Sequence, residues 1–167
     1  MNKINDRAAM IEAAAAKMGK KTFVDDLKKV GTPRLEYQKT CSKVVTLEEA
    51  IRQSGLKDGM TISFHHHFRG GDKVVNMVVA KLAEMGFKNL HIAASSLQDV
   101  HKPLIEHIRN GVVNRLSTSG LRGELANEIS HGLMDEPVVF RSHGDRASAI
   151  KRGDLHIDVA FLGASSC

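Results

Sequence analysis

The sequence has few of the features that mark secreted, membrane or nucleic-acid-binding proteins. Its 167 residues include two cysteines, one tyrosine and no tryptophan. Cys41 and Cys167 are far apart in the sequence, so we expect two free thiols rather than a structural disulfide. No apolar run is long enough to span a membrane, and the first residues lack the apolar core of a signal peptide. These absences predict a soluble, cytoplasmic protein that does not enter a membrane.

The excess of positive charge is confined to the amino-terminal segment. Residues 1–45 contain ten Lys or Arg and five Asp or Glu, whereas residues 46–167 contain fourteen of each. Because acids are mixed into the basic segment and it has one Phe and one Tyr to stack on bases, we do not expect nucleic-acid binding. Strong helix formers predict a helix over 2–18, followed by an irregular connector. We therefore separate a helical, basic leader (1–45) from a compact domain (46–167).

The compact domain alternates between short β-branched runs and amphipathic helical patterns. Residues 46–49 form a capping-box pattern that begins a short helix, which ends at Ser54-Gly55. Five runs have the length of strands: 60–66, 89–94, 111–117, 137–141 and 156–162. Four helical patterns separate them: 72–85, 101–110, 121–132 and 145–152. Such alternation requires crossover connections, so we predict an open, mostly parallel α/β sheet of about five strands with helices on both faces.

Ligands of such sheets bind at the carboxyl ends of the strands, so the four strand-to-helix loops are the expected place for a functional site. The first loop combines histidines, an arginine and glycines: His65, His66, His67, Arg69, Gly70 and Gly71. The second offers serine hydroxyls over 94–99. The third contains Ser119, Gly120 and Arg122, and the fourth contains Arg141 and His143. An arginine beside glycine or serine in three loops is suited to a polyanionic ligand.

Each loop also has a simpler interpretation. Serine, glycine and aspartate before a helix are common caps, and a surface arginine is usually just solvated. The triple histidine suggests a metal, but strand alternation sends His65 and His67 to one face and His66 to the other. Only His143 on a neighbouring loop could join them, so we expect no bound metal. No nucleophile motif is present, and the patterns alone indicate an anion-binding α/β domain.

Several separated segments, in order, resemble the α subunit of citrate lyase, a member of the CoA-transferase superfamily. The strongest likeness runs from Gly55 to Asp72 and contains the sequence His-His-His-Phe-Arg-Gly-Gly. Further similar segments lie at 85–90, 103–113, 118–123 and 157–163, so the resemblance covers roughly 46–167. It implies a CoA-transferase type of α/β domain, which agrees with the fold class reached from the patterns.

The resemblance also implies a reaction and its participants. In this family the α subunit exchanges the acetyl group on the CoA-like prosthetic group of the γ (acyl-carrier) subunit for citrate, which gives a citryl thioester and acetate. The β (lyase) subunit then cleaves the citryl thioester. The implied cofactor is therefore CoA or that CoA-like group, and the implied partners are the β and γ subunits. The first loop, from His65 to Gly71, would line the substrate or CoA pocket, with Ser119, Gly120, Arg122 and His143 as further binding residues.

Family members are much longer than this sequence and contain a second α/β half, with the active site expected between the halves. The sequence thus resembles the amino-terminal half of such a subunit. We expect the isolated chain to be an oligomer and inactive as a transferase until the second half of the α subunit completes it. The alternative is an inactive anion-binding or assembly module of the citrate lyase complex.

Overall fold

A computed structural model describes residues 9, 10, 13–19, 44–65 and 73–163. The chain divides into two compact units, Met1–Lys43 and Val44–Cys167. In the first unit residues 9–10 and 13–17 are helical, which agrees with the helix predicted over 2–18. Residues 20–43, most of the predicted connector, lie outside the described residues. The boundary at residue 45 stays a prediction.

The second unit is a parallel α/β sheet. Its strands are β1 (Thr61–His65), β2 (Leu90–Ala94), β3 (Val113–Thr118), β4 (Val139–Phe140) and β5 (Val159–Leu162). Its helices are α1 (Leu47–Gln53), α2 (Val74–Glu84), α3 (Leu104–Arg109), α4 (Gly123–Ser130) and α5 (His143–Arg152), with a 3-10 helix at Asp99–His101. Within the described ranges, no helix has the length and apolar composition needed to cross a bilayer. The predicted fold class is confirmed.

The strand order is β4-β3-β2-β1-β5, and every neighbouring pair is parallel. The chain therefore steps outward from β1 to β4 and then returns across the sheet to place β5 beside β1. Helix α5 lies in that returning connection. This reversal of direction beside β1 is the kind of position where open α/β sheets bind ligands.

The two sides of the sheet differ in chemistry, because successive side chains of a strand point to opposite sides. On the apolar face, Ile62, Phe64, Ile92 and Leu116 are buried and pack with apolar residues of α1 to α4. The polar face contains the alternate residues Thr61, Ser63, His91, Ala93, Arg115 and Ser117. Helix α5 covers this second face, where Ala149 packs on Ala93 and Leu155.

The observed element bounds correct the prediction for the fourth loop. Helix α5 begins at His143, two residues before the predicted start, because the Ser142 hydroxyl accepts a hydrogen bond from the Asp145 backbone N–H at 3.0 Å. His143 is thus in the first turn of a helix rather than in a loop. The helix ends at Gly153, whose φ of +85° closes it without the steric cost that a side chain would bring.

Candidate functional site

The candidate site lies where the carboxyl ends of β1 and β2 meet helix α5. A cavity of about 270 Å³ is lined there by His65, Ser95, His143, Arg146, Ala147 and Ile150. His65 is the last residue of β1, and Ser95 directly follows β2. The other four residues belong to α5. The sheet therefore forms one wall of the cavity and α5 forms the other.

Helix periodicity explains which residues α5 presents to the cavity. His143, Arg146, Ala147 and Ile150 are separated by three, one and three residues, a spacing that places them on one side of an α-helix. The polar residues are in the first turn and the apolar residues follow. The cavity consequently has hydrogen-bonding groups from both walls near the strand ends and an apolar lining farther along the helix.

Arg146 connects α5 to the polar face of the sheet. Its Nη2 group donates to the Ser63 hydroxyl at 2.8 Å and to the Ala93 carbonyl oxygen at 3.0 Å. The side chain is half-buried, and burial lowers the pKa of its guanidinium below the ordinary value. Both acceptors are uncharged, so they fix the position of the guanidinium and leave its charge uncompensated.

A hydrogen-bonded layer continues beneath α5 around His91. Its Nδ1 lies 3.2 Å from the Thr61 hydroxyl and its Nε2 lies 2.8 Å from the Ser117 hydroxyl. Burial, followed by the charges of Arg115 and Arg146, lowers the pKa of His91 to about 4. At neutral pH the imidazole is therefore uncharged, donating to one hydroxyl and accepting from the other. The layer orients polar groups without adding charge.

The second and third loops are held together by backbone hydrogen bonds that extend the pairing of β2 with β3. The Ser119 N–H donates to the Ser95 carbonyl at 3.2 Å, and the Leu97 N–H donates to the Gly120 carbonyl at 2.8 Å. Gly123, with φ of +72°, approaches so closely that an added Cβ would lie 2.8 Å from the Asp99 Cα. A glycine is required there. This pairing fixes the position of Ser95 in the cavity.

The structure brings some of the predicted site residues together and separates others. His65 and His143 line the same cavity. Ser119 and Gly120 lie in the adjoining loop, and the Arg122 side chain is exposed at the start of α4. His66, His67, Arg69, Gly70 and Gly71 lie outside the described residues. The binding roles of all of these residues stay predictions.

Sequence reasoning missed Arg146 as a site residue. A signal for it was present, because Arg146 follows His143 by three residues and so shares its side of a helix. The alternation in Thr61-Ile62-Ser63-Phe64 also indicated that one side of the sheet is polar. Arg141, which the loop pattern did indicate, instead forms an ion pair with Asp145 at 3.1 Å.

The described residues also bear on metal binding. Among residues 44–65 and 73–163, no three His, Cys, Asp or Glu side chains are grouped so that they could hold an ion. His66 and His67 are not among these residues. The expectation that no metal binds therefore stays a prediction.

Comparisons with known proteins give the family of the chain. Residues 39–167 match the family described as "Citrate lyase, alpha subunit (CitF)". The citrate lyase α chain of Haemophilus influenzae is 66% identical over 122 residues, which cover 73% of this chain and 24% of that protein. The citrate lyase α chain of Escherichia coli is 59% identical over 143 residues, which cover 81% of this chain and 28% of that protein.

A solved structure agrees with these matches. A crystal structure described as the α subunit of citrate lyase from Streptococcus mutans in complex with citrate is 55% identical, with a TM-score of 0.72. It covers 77% of this chain and 25% of that chain. The chain thus spans about a quarter of the length of the curated relatives it matches. The resemblance stated from the sequence is confirmed, and the chain belongs to the citrate lyase α-subunit family.

Proposed function

We propose that this chain forms the carboxylate-binding part of a citrate CoA-transferase, the α-subunit activity of citrate lyase. In the proposed reaction the carbon–sulfur bond of an acetyl thioester breaks and that of a citryl thioester forms. Acetate leaves with one oxygen from the reacting citrate carboxylate, so atoms and charge balance. Family membership supports the enzyme class. The observation that carries the proposal for this chain is the cavity lined by His65, Ser95, His143 and Arg146.

The chemistry of this cavity suits a small polycarboxylic acid. The Arg146 guanidinium supplies positive charge and planar donors that match a carboxylate. The imidazole of His143 can donate a further hydrogen bond, and His65 and Ser95 line the same cavity with polar side chains. A volume of about 270 Å³ is near the lower end for ligand sites, which favours a compact acid. Citrate in the structure of the Streptococcus mutans relative supports citrate as that acid.

The CoA-like group needs a surface larger than this cavity. When bound, its thioester supplies an activated acetyl carbonyl. Among the described residues, Ser119, Gly120 and Arg122 in the adjoining loop would hold its polar parts, and the exposed Arg122 guanidinium would supply positive charge. The resemblance also assigns Arg69, Gly70 and Gly71 to this role, and these lie outside the described residues. Binding of the group is therefore part of the proposal.

A second candidate function is an anion-binding or assembly module that binds citrate within the citrate lyase complex without transferring it. It is favoured by exposed apolar side chains on both edge strands. Phe140 of β4 is 59% exposed and Leu162 of β5 is 74% exposed. Large apolar side chains on open strand edges favour contact with another protein surface. The β and γ subunits and further α-subunit polypeptide are the proposed partners.

A labelled exchange assay separates these functions. Purified chain is incubated with acetyl-CoA and labelled citrate, first alone and then with the remaining α-subunit polypeptide and the β and γ subunits. We expect citryl thioester and free acetate in equal amounts in the complete mixture and no turnover by the chain alone. Citrate binding without turnover in any mixture would favour the assembly module. Turnover by a complete mixture from which this chain is omitted would contradict both functions.

A further inference from the structure

Arg146 has a half-buried guanidinium without a carboxylate partner among the described residues. Its neighbours on and beside α5 are paired differently. Arg152 pairs with Asp154 at 2.8 Å and lies 3.6 Å from Asp145, and Arg141 pairs with Asp145 at 3.1 Å. Arg146 directly follows Asp145 in the sequence, yet its hydrogen bonds go to the Ser63 hydroxyl and the Ala93 carbonyl.

This arrangement is unfavourable unless an anion completes it. A cation that is partly removed from water loses hydration, and two neutral acceptors recover only part of that loss. The surroundings add no compensation, because Arg115 also contributes positive charge to the polar face and His91 is neutral there. The lowered pKa of Arg146, caused by burial, is consistent with an uncompensated charge. A negative ligand at Arg146 would supply the missing compensation.

We propose that Arg146 is the residue that binds a substrate carboxylate in this cavity, and that Ser63 and the Ala93 carbonyl position it for that task. Both anchors use the same terminal nitrogen, Nη2. The Nη1 and Nε groups have no hydrogen-bond partner among the described residues, so they remain as donors for the ligand. The inference deepens the proposed function and relies on it only for the choice of citrate as the acid.

The cavity also limits the class of ligand. The imidazole of His143 borders the same cavity and can donate to a second polar group of the ligand, which favours an acid with a further carboxylate or hydroxyl over acetate. Ala147 and Ile150 border the cavity with apolar groups. A compact acid therefore matches the charge of Arg146 and the size of the cavity.

Calorimetric titration of the purified chain with citrate tests the inference. We expect Arg146→Gln to weaken citrate binding by about tenfold to a hundredfold, since a hydrogen-bonded charge is lost. Arg146→Lys keeps the charge and loses the planar fork, so its affinity should be intermediate. Arg152→Gln is the matched control, because it removes an ion-paired arginine from the same helix, and it should bind citrate as the unaltered chain does.

Ser63→Ala tests the positioning role while leaving every cavity residue in place. It removes one of the two anchors of Nη2, and we expect citrate affinity to fall by a few-fold, less than for Arg146→Gln. An equal affinity in Ser63→Ala and the unaltered chain would contradict the positioning role. If Arg146→Gln binds citrate as tightly as the unaltered chain does, the whole inference is overturned. It is also overturned if the unaltered chain shows no detectable binding of citrate at millimolar concentration.

Thermal unfolding distinguishes ligand binding from a structural role. Without citrate, Arg146→Gln should unfold at the same or a higher temperature, because it removes an uncompensated half-buried charge. Citrate should raise the unfolding temperature of the unaltered chain and of Arg152→Gln but not that of Arg146→Gln. If Arg146→Gln unfolds at a lower temperature and still gains stability from citrate, Arg146 is structural and the inference fails.

The inference and the proposed function can fail separately. Arg146-dependent citrate binding without transfer in the complete mixture would keep the inference and remove the transferase function. Transfer with an unchanged KM for citrate in Arg146→Gln would keep the transferase function and remove the inference. Comparing citrate with inorganic sulfate in the same titrations shows whether the site selects carboxylates, and equal binding of the two would contradict the proposed ligand class.

Discussion

The two faces of the sheet differ in what they contribute to this protein. The apolar face is closed by α1 to α4, and its side chains belong to one large buried cluster. The polar face is covered, among the described residues, by α5 and contains a much smaller apolar cluster around Ala93, Ala149 and Leu155. The strands give this face hydroxyls, His91 and Arg115, and α5 adds Arg146. We infer that the apolar face supplies most of the stability and the polar face supplies most of the chemistry.

This division explains how a cation can remain unpaired beside a packed sheet. Burial of apolar surface on the first face stabilises the strands, at roughly 25 cal/mol for each Å² removed from water. The strands then hold the Ser63 hydroxyl and the Ala93 carbonyl at fixed positions on the second face. Arg146 takes its position from these groups. A rigid face thus tolerates and orients a group that is unfavourable in the absence of a ligand.

The largest expected effect comes from comparing two consecutive residues of β3. Leu116 is buried on the apolar face, and Ser117 is buried on the polar face beside His91. We expect Leu116→Ala to lower the free energy of unfolding by about 3 kcal/mol, because it removes apolar contacts and leaves a cavity. Ser117→Ala should lower it by about 1 kcal/mol, since it removes one hydrogen bond to the imidazole. Urea unfolding measures both values.

A larger loss of stability in Ser117→Ala than in Leu116→Ala would contradict the proposed difference between the two faces. If Ser117→Ala cost as much as Leu116→Ala, the hydrogen-bonded layer would be a main source of stability. Citrate titration of both variants sharpens the test. A folded Leu116→Ala chain should keep its citrate affinity because its side chain faces away from the cavity.

Most of the fold could be predicted because its signals are local. Each of the five strands overlaps a β-branched run in the sequence, and the helices between β1 and β5 overlap four amphipathic patterns. The observed bounds of an element differ from the predicted ones where a specific side chain determines its end, as Ser142 does at the start of α5. The strand order could not be predicted in this way, because it depends on contacts between segments that are distant in the sequence. Nothing in the local pattern shows that β5 returns to the edge beside β1.

The site was harder to predict because it also depends on contacts between residues that are distant in the sequence. His65 and His143 were identified from their loops, and the structure places both at one cavity. Arg146 was missed because its partners, Ser63 and Ala93, lie 83 and 53 residues away in the sequence. On its own, α5 has the polar composition of an ordinary solvated helix. Its position across the polar face is what brings Arg146 to the cavity.

A smaller effect is expected from the titration of His91. Its pKa of about 4 in the folded protein is below the ordinary value of 6.5, so the unfolded chain binds the proton first as the pH falls. The stability that this difference contributes is fully present above pH 6.5 and is lost as the pH falls toward about 4. With allowance for solvent screening, we expect a loss of at most about 2 kcal/mol.

His91→Gln tests this expectation by replacing the imidazole with a polar group that does not titrate. Urea unfolding at about pH 7 and about pH 4.5 should show a smaller loss of stability in His91→Gln than in the unaltered chain. His107 on α3 is the matched control, because burial lowers its pKa as well. We expect His107→Gln to change the pH dependence less than His91→Gln. An unchanged pH dependence in His91→Gln would show that His91 is as solvated as a surface histidine.

The smallest expected effect compares the caps of two helices on opposite faces. The Thr46 hydroxyl accepts from the Glu49 N–H at 3.2 Å at the start of α1, and the Ser142 hydroxyl accepts from the Asp145 N–H at 3.0 Å at the start of α5. Thr46→Ala and Ser142→Ala should each lower the free energy of unfolding by about 1 kcal/mol.

The citrate affinities of these two variants should differ. Ser142→Ala loosens the turn that contains His143 and Arg146 and should weaken binding, whereas Thr46→Ala should leave it unchanged. Equal citrate affinity in the two variants would mean that the hydrogen bonds of Arg146 to Ser63 and Ala93, rather than the cap, hold α5 against the polar face.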